Sequence, residues 1–269
     1  ENSWRARLSP HYVPILWLIA LVADGLAAGY LYGQNQQLIN VRLSAATTVQ
    51  LTRLTHIFHL IAWPLAILSW SYASRDLIAV PHGLRKGRRY DEAILARTRS
   101  RTLLWGDLDS MIILVFWTIA AGAWMTMLGM EAGLPRRLVV HSAAIVLVCG
   151  AISVSYTFFL QTFYIVRCVY PIYLRYGHTT ARDAAHLRAL RRRCTVYLGI
   201  AASVPIVGVL TGFINLEPAE RPLVLNSVLW LCAVTGLAFV AAYWVFRKLE
   251  ADLRALERVV EKRSGVAVV

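Results

Sequence analysis

Hydrophobic residues are grouped along the chain into six long runs, which are separated by shorter polar segments. Each run has about 20 or more mostly apolar residues, the length that an α-helix needs to cross roughly 30 Å of hydrocarbon. The pattern therefore predicts an all-α membrane protein with six transmembrane helices. The predicted spans cover residues 13–33, 54–74, 103–128, 138–166, 196–215 and 222–246.

The composition of the chain agrees with this prediction. Of its 269 residues, 58% are hydrophobic, whereas a soluble domain of this size is usually about 45–50% apolar. A net charge of +13 could indicate a nucleic-acid partner. The basic residues flank the apolar runs and form no separate basic domain, however, so nucleic acid is not an expected partner.

The cysteines and the first residue give two smaller indications. The cysteines form no CxxC motif, which predicts reduced structural thiols. They are Cys149, Cys168, Cys194 and Cys232. The sequence begins with Glu1 and shows no signal-peptide pattern, which predicts a processed part of a longer protein.

Lysine and arginine are distributed unequally between the two sides of the predicted bundle. One side, formed by the N-terminus, segments 75–102 and 167–195 and the C-terminal tail, holds 23 of the 28. The other side holds Arg42, Arg53, Arg136, Arg137 and Arg221. Cytoplasmic loops are enriched in these residues, so the basic side is predicted to be cytoplasmic. Both termini are therefore predicted to lie in the cytoplasm.

The two basic segments each combine helix breakers with a helix-forming stretch. In the first, Pro81 and Gly83 are expected to break the chain before a YDEAIL sequence restarts a helix. In the second, Pro171 and Gly177 are expected to end the fourth span before a TARD sequence that resembles a capping box. Each segment is therefore predicted to form a helical elbow. Ordinary anchoring near lipid headgroups is the alternative explanation of the charge.

The sixth span continues without a breaker into the polar segment 247–269. Apolar residues recur there at steps of three and four, as in the a/d stripe of a coiled coil. The stripe comprises Phe246, Leu249, Leu253, Leu256 and Val260. It predicts a parallel homodimer, with residues 1–246 as the membrane domain and 247–269 as a signalling and dimerisation helix. The alternative is an amphipathic helix that lies on the inner leaflet.

Three parts of the chain carry a resemblance to a known family. They are residues 83–87 with 96–101, residues 164–171, and residues 192–199 with 204–208. Together with the six spans and the terminal helix, they resemble the membrane domain of bacterial six-span class III adenylyl cyclases, particularly the mycobacterial type with a HAMP linker. Similar modules precede histidine kinases and other output domains. The tail departs from a full HAMP unit, because Leu253 and Leu256 fit its first helix and no second helix follows.

The resemblance implies a bacterial inner-membrane location and a function in signalling. The chain would be the membrane anchor and sensory input domain of a homodimeric enzyme, and it would sense a membrane-borne or periplasmic ligand. The cytoplasmic output domain would make cAMP from ATP with Mg²⁺. These residues contain no cyclase domain, so no catalytic residue is carried over and no catalytic site is predicted.

Four ionisable side chains lie inside the predicted spans, where they are costly unless they face the bundle or water. They are Asp24, His56, His59 and His141. Helix lengths place Asp24 and His59 at a similar depth, with the other two nearer the outer side. Such groups could bind Zn or Cu, bind a polar ligand or respond to pH. A hydrogen bond between Asp24 and a histidine is the structural alternative.

Polar residues near the ends of the spans form two further groups. Asp107 and Asp109 lie near the inner end of the third span and are expected to form interfacial salt bridges. Their expected partners are Arg99, Arg101 and Arg193. At the outer mouth of the second span, Gln50 and Arg53 are candidate contacts for an anionic headgroup or a fatty-acid carboxylate.

Two other functions fit a helical membrane protein of this size. A b-type cytochrome needs axial histidines on facing helices, which only His141 with His56 or His59 offers. A small transporter needs broken helices, for which Pro64 and Pro205 are the candidate positions.

Overall fold

A computed structural model describes residues 42–130, 134–176 and 181–264, together with residues 25, 27, 29–33, 38 and 39. Regular structure in these residues is helical throughout, and they contain no β-strand. The helices are α1 (Ala45–Arg85), α2 (Glu92–Gly129), α3 (Arg136–Tyr164), α4 (Tyr170–Tyr176), α5 (Ala181–Asn215) and α6 (Arg221–Ser264). A π-turn at Ile165–Val169 joins α3 to α4 without a break.

Four helical segments are long and apolar enough to cross a membrane. They are Ala45–Ser69 in α1, the whole of α2, Arg136–Tyr176, and Arg182–Asn215 in α5. These segments indicate a helical membrane protein, which agrees with the class predicted from sequence. Helix α6 contains the predicted sixth span as unbroken helix but is not one of the four. The predicted first span lies largely outside the described residues, so the number of six stays a prediction.

Helix α3 forms the centre of the bundle. In its apolar segment 78% of the residues are buried, whereas the figures for the apolar segments of α1 and α2 are 8% and 11%. Helices α1 and α2 therefore turn apolar side chains outward. Small residues let α2 and α3 approach closely: a Cβ added at Gly150 would lie 2.8 Å from the Cβ of Trp117. Ser110 also donates a hydrogen bond to the carbonyl of Val154 across this contact, at 3.3 Å. Small and polar contacts of this kind are typical of helix packing in membranes.

The first basic segment differs from the prediction at its proline. Helix α1 continues through Pro81 to Arg85, because a proline removes only one backbone hydrogen bond and the buried turn around it supplies packing. Gly83 has a different role from the one predicted, since a Cβ there would overlap the Tyr90 hydroxyl that packs on α1. Gly87 lies in the turn that follows the helix, where its φ of 77° suits glycine. Helix α2 then restarts in the predicted YDEAIL sequence.

The second basic segment also differs from the prediction at its proline. Pro171 does not end the helix but lies in the first turn of α4, directly after the π-turn. A proline cannot donate to the carbonyl four residues earlier and clashes with it, and the wider π-turn relieves that clash. The TARD sequence begins with Thr180, outside the described residues, and α5 is helical from Ala181 onward. Pro64 and Pro205 also lie within continuous helices, α1 and α5, so neither position is a helix break.

The helical elbows pack together into one unit at the basic end of the bundle, the end that holds segments 75–102 and 167–195. We call this unit the head, and it comprises residues 92–102, 165–176, 181–195 and 247–264. Its core joins Tyr170 of α4, Leu187 and Leu190 of α5, and Leu249 and Leu253 of α6. The elbows are therefore a packed structure.

The predicted dimerisation stripe is buried in the core of this head. Leu249, Leu253 and Val260 are fully buried, and Phe246 and Leu256 are partly buried against the same cluster. The stripe needs a partner, as predicted, but that partner is the chain's own α4 and α5 where the sequence suggested a second copy. Nor does the stripe lie open for the inner leaflet. A parallel dimer through these side chains would require the head to open.

Candidate functional site

An ion-pair cluster joins three chain segments at the end of the bundle opposite the head. We call it the acid clasp, and it comprises Arg42, Arg137, Glu217 and Glu220. Glu220 accepts hydrogen bonds from Arg42 at 3.0 Å, from Arg137, and from the backbone N–H of Glu217 at 2.9 Å. Arg137 also lies 2.8 Å from the Glu217 carboxylate. The clasp therefore connects the segment before α1, the start of α3 and the connection between α5 and α6.

The acid clasp covers a layer of apolar side chains. The Glu220 side chain is only 8% exposed, and a buried cluster beside it includes Leu38, Leu138, Leu216 and Val224. Burial opposes ionisation of Glu220, but the hydrogen bonds and positive charges of its partners outweigh it and lower the pKa of the carboxyl. Glu220 is consequently held as an anion at neutral pH.

Acidification is expected to weaken the acid clasp. A carboxyl with a lowered folded-state pKa contributes stability that is fully present above its ordinary value of 4.5 and is lost as the pH falls through the folded value. Thermal unfolding in detergent, measured from about pH 7 to about pH 3.5, should show a fall in midpoint in the acidic range. Glu220→Gln should lower the midpoint at neutral pH and flatten the acidic fall. If both proteins follow parallel pH curves, Glu220 does not supply this dependence.

The predicted group of Asp24 and three histidines is not brought together among the described residues. His56 lies on the exposed face of α1, while His141 is buried at the start of α3, near the backbone of Thr211 and the charge of Glu220. Asp24 and the side chain of His59 lie outside the described part. The described residues hold no group of three or more His, Cys, Asp and Glu side chains suited to a metal ion.

The candidate lipid contacts Gln50 and Arg53 are both exposed on α1. Arg53 borders an open depression of about 570 Å³ along one face of that helix, together with Thr52, His56 and Leu60. This face combines the nitrogen-bearing side chains of Arg53 and His56 with apolar ones. It stays a candidate contact for an anionic headgroup.

Salt bridges are predicted for both Asp107 and Asp109, and the prediction is confirmed for Asp107. Asp107 pairs with Arg193 at 2.6 Å, as expected. Asp109 instead accepts a hydrogen bond from Gln161 of α3. The other two expected partners bind elsewhere: Arg99 pairs with Asp183, and Arg101 pairs with Asp76.

The pair of Arg99 and Asp183 is the most deeply buried ion pair described. The guanidinium of Arg99 approaches both carboxylate oxygens at 2.8 Å, and the two side chains are 0% and 3% exposed. The pair joins the start of α2 to the first turn of α5, beneath Tyr170 of α4. An acidic side chain in the first turn also complements the partial positive charge of a helix N-terminus.

Two further ion pairs hold α6 in the head. Asp252 accepts from Arg167 of the π-turn at 2.5 Å, and Glu257 pairs with Arg191 of α5 at 3.2 Å. The sequence analysis missed these acids, although a signal was present. Glu257 falls four residues after Leu253 and three before Val260, which places it on the buried stripe.

The two clusters lie at opposite ends of one helix. Helix α6 begins at Arg221, directly after the clasp residue Glu220, and runs unbroken to Ser264 in the head. At 1.5 Å per residue its length is about 66 Å. The arrangement can therefore couple the two ends of the bundle mechanically, because a shift of the clasp must move the start of this helix.

The fold and these clusters define a helical membrane protein whose described ion pairs lie towards its two ends. Comparison of the chain with protein-family models, with curated proteins and with solved structures gives no match. The function must therefore be argued from the geometry of the chain itself.

Proposed function

We propose that this chain is the membrane-anchoring input domain of a signalling protein, in which α6 relays a change at the acid clasp to the head. The observation that supports the proposal is the continuity of α6 between the two clusters. A helix that is held at both ends by ion pairs has defined partners at each end. A ligand or ionic condition that favours a second arrangement of the clasp would move α6 against α4 and α5.

The finer features of the sequence analysis belong to this proposal. They are six spans, a cytoplasmic head, a bacterial inner-membrane location, a homodimer and a cytoplasmic output domain. An adenylyl cyclase is the specific output that the resemblance suggests, and a nucleotidyl cyclase domain encoded after Val269 would support it. In this scheme the closed head is one state, and release of the stripe to a second copy would be the other.

The relay can be tested by measuring the head while the clasp is changed. Spin labels at residues 185 and 255 would report the distance between exposed positions of α5 and α6, in a chain with Cys232→Ala. Glu220→Ala, in nanodiscs, is expected to shift or broaden the distance distribution by about 1–2 Å, the usual scale of helix shifts.

The matched control is Arg136→Ala, which removes an exposed cation next to the clasp residue Arg137. This variant should leave the distance distribution unchanged. The relay is wrong if Glu220→Ala and Arg136→Ala give the same distribution as the parent protein.

A further inference from the structure

In the two head segments that belong to α5 and α6, the described acidic side chains are already bound by arginines of the same chain. Among the acids whose side chains are described in residues 181–195 and 247–264, Asp183 pairs with Arg99. The others pair as Asp252 with Arg167, Glu257 with Arg191 and Glu250 with Arg254. Three of these four pairs, all except Glu250 with Arg254, join different helices inside the head. These four acids therefore do little to offset the charge on the outer surface of the two segments.

The outer surface of the same two segments is strongly basic. Eight lysine and arginine side chains are exposed there: Arg182, Arg188, Arg192, Arg247, Lys248, Arg254, Arg258 and Lys262. We call this the basic face. The burial pattern explains it, because the apolar and acidic positions of α5 and α6 turn toward each other and the remaining positions turn outward.

Alanines lie between these cations on both helices. Ala185 and Ala189 are exposed on α5, and Ala251 and Ala255 are exposed on α6. Each pair is spaced by four residues, so its members lie one above the other on the helix. Small side chains allow another helix to approach the backbone, while the neighbouring cations attract acidic groups on that helix.

Lipid headgroups lie too close to the hydrocarbon to reach the part of this surface that the end of α6 forms. The apolar run of α6 ends at Phe246, and the helix continues to Ser264, which is about 27 Å at 1.5 Å per residue. The polar region of one leaflet is only about 5–8 Å thick. In addition, charges in solution are screened beyond roughly 10 Å at 0.1 M salt. Arg254, Arg258 and Lys262 therefore point into water, where a protein can reach them.

We infer that the basic face is a docking surface for an acidic helical segment of a partner protein. The inference deepens the proposed function and rests on it, since such a partner would receive the movement of α6. Charge complementarity identifies the partner as acidic, and the alanine spacing identifies it as a helix. Like charges on the face disfavour a second copy of the same surface.

The test uses the whole chain in nanodiscs of zwitterionic lipid and a fluorescent probe peptide. The probe is a designed helix with glutamates along one face. Two comparison probes are a peptide of the same composition interrupted by prolines and a single-stranded RNA of similar charge. The variant Arg192→Glu with Arg258→Glu changes the basic face, and Arg136→Glu makes the same kind of change at the opposite end.

The helical probe is expected to bind, and the double variant should weaken binding by at least about tenfold, as for contacts between opposite charges. Arg136→Glu should bind as the parent protein does. The inference is overturned if the helical probe does not bind, if both variants bind it equally, or if the RNA or the interrupted peptide binds at least as tightly. Because binding is measured without any change to the clasp, a failed relay and a failed docking surface give different results.

Discussion

Replacement of Arg99 by alanine is expected to lower the free energy of unfolding by about 3–5 kcal/mol, because it leaves a buried carboxylate without its guanidinium. Asp183 is 3% exposed and lies between α2 and α5, where water cannot easily replace the lost contact. The unfolding free energy can be measured by titration with SDS in mixed micelles. The same variant should loosen the head, since the pair joins two of its helices.

The control for this prediction lies two residues further along α2. Arg101 pairs with Asp76 at 3.4 Å, but both side chains are more than half exposed. Exposed pairs contribute about 0–1 kcal/mol, so Arg101→Ala should have little effect. Arg99→Met combined with Asp183→Leu should recover part of the loss, because an apolar pair needs no compensating charge. Equal effects of Arg99→Ala and Arg101→Ala would contradict the importance of burial.

Replacement of Leu253 by alanine is the second change with a large expected effect, about 2–5 kcal/mol of lost stability. Leu253 is fully buried among Leu187, Leu190 and Tyr170 of the same chain. The loss should be independent of protein concentration, because the covering residues belong to the same molecule. Unfolding measured over a hundredfold range of concentration, in fixed detergent-to-protein ratio, would check this.

Val259 provides the comparison on the opposite face of α6, where it is 42% exposed. Val259→Ala is expected to change stability only slightly. If Leu253→Ala destabilises the protein only where a dimer is present, the stripe is a dimer seam and the packing in the head is not its main role.

The sequence predicts the helical class and the buried stripe well because both follow from periodicity. Leu249, Leu253 and Val260 are spaced so that they must share one face, and apolar faces are buried. The spacing does not determine which residues cover this face, since either a second copy or the chain's own α5 could bury it. That choice depends on how α4 and α5 fold back, which rests on contacts between residues far apart in sequence.

The clusters at the two ends were harder to predict for the same reason. Glu220 was not considered as a site residue because nothing near it in sequence indicates that Arg42 and Arg137 converge on it. Arg99 is predicted as one of three possible partners of Asp107 and Asp109, whereas the fold places it against Asp183. Local signals did succeed where the interaction is local, as at the start of α2.

The π-turn at Ile165–Val169 sets the rotational phase of everything that follows it in α4. A π-turn accommodates one more residue than an α-helical turn, and each residue of an α-helix advances the direction of its side chain by about 100°. Without the extra residue, Ile172 and Tyr173 would point about a quarter of a turn away from the positions where they are now buried. A sequence one residue shorter at this point would thus form α4 with a rotation of about 100°, which turns Ile172 and Tyr173 away from the core.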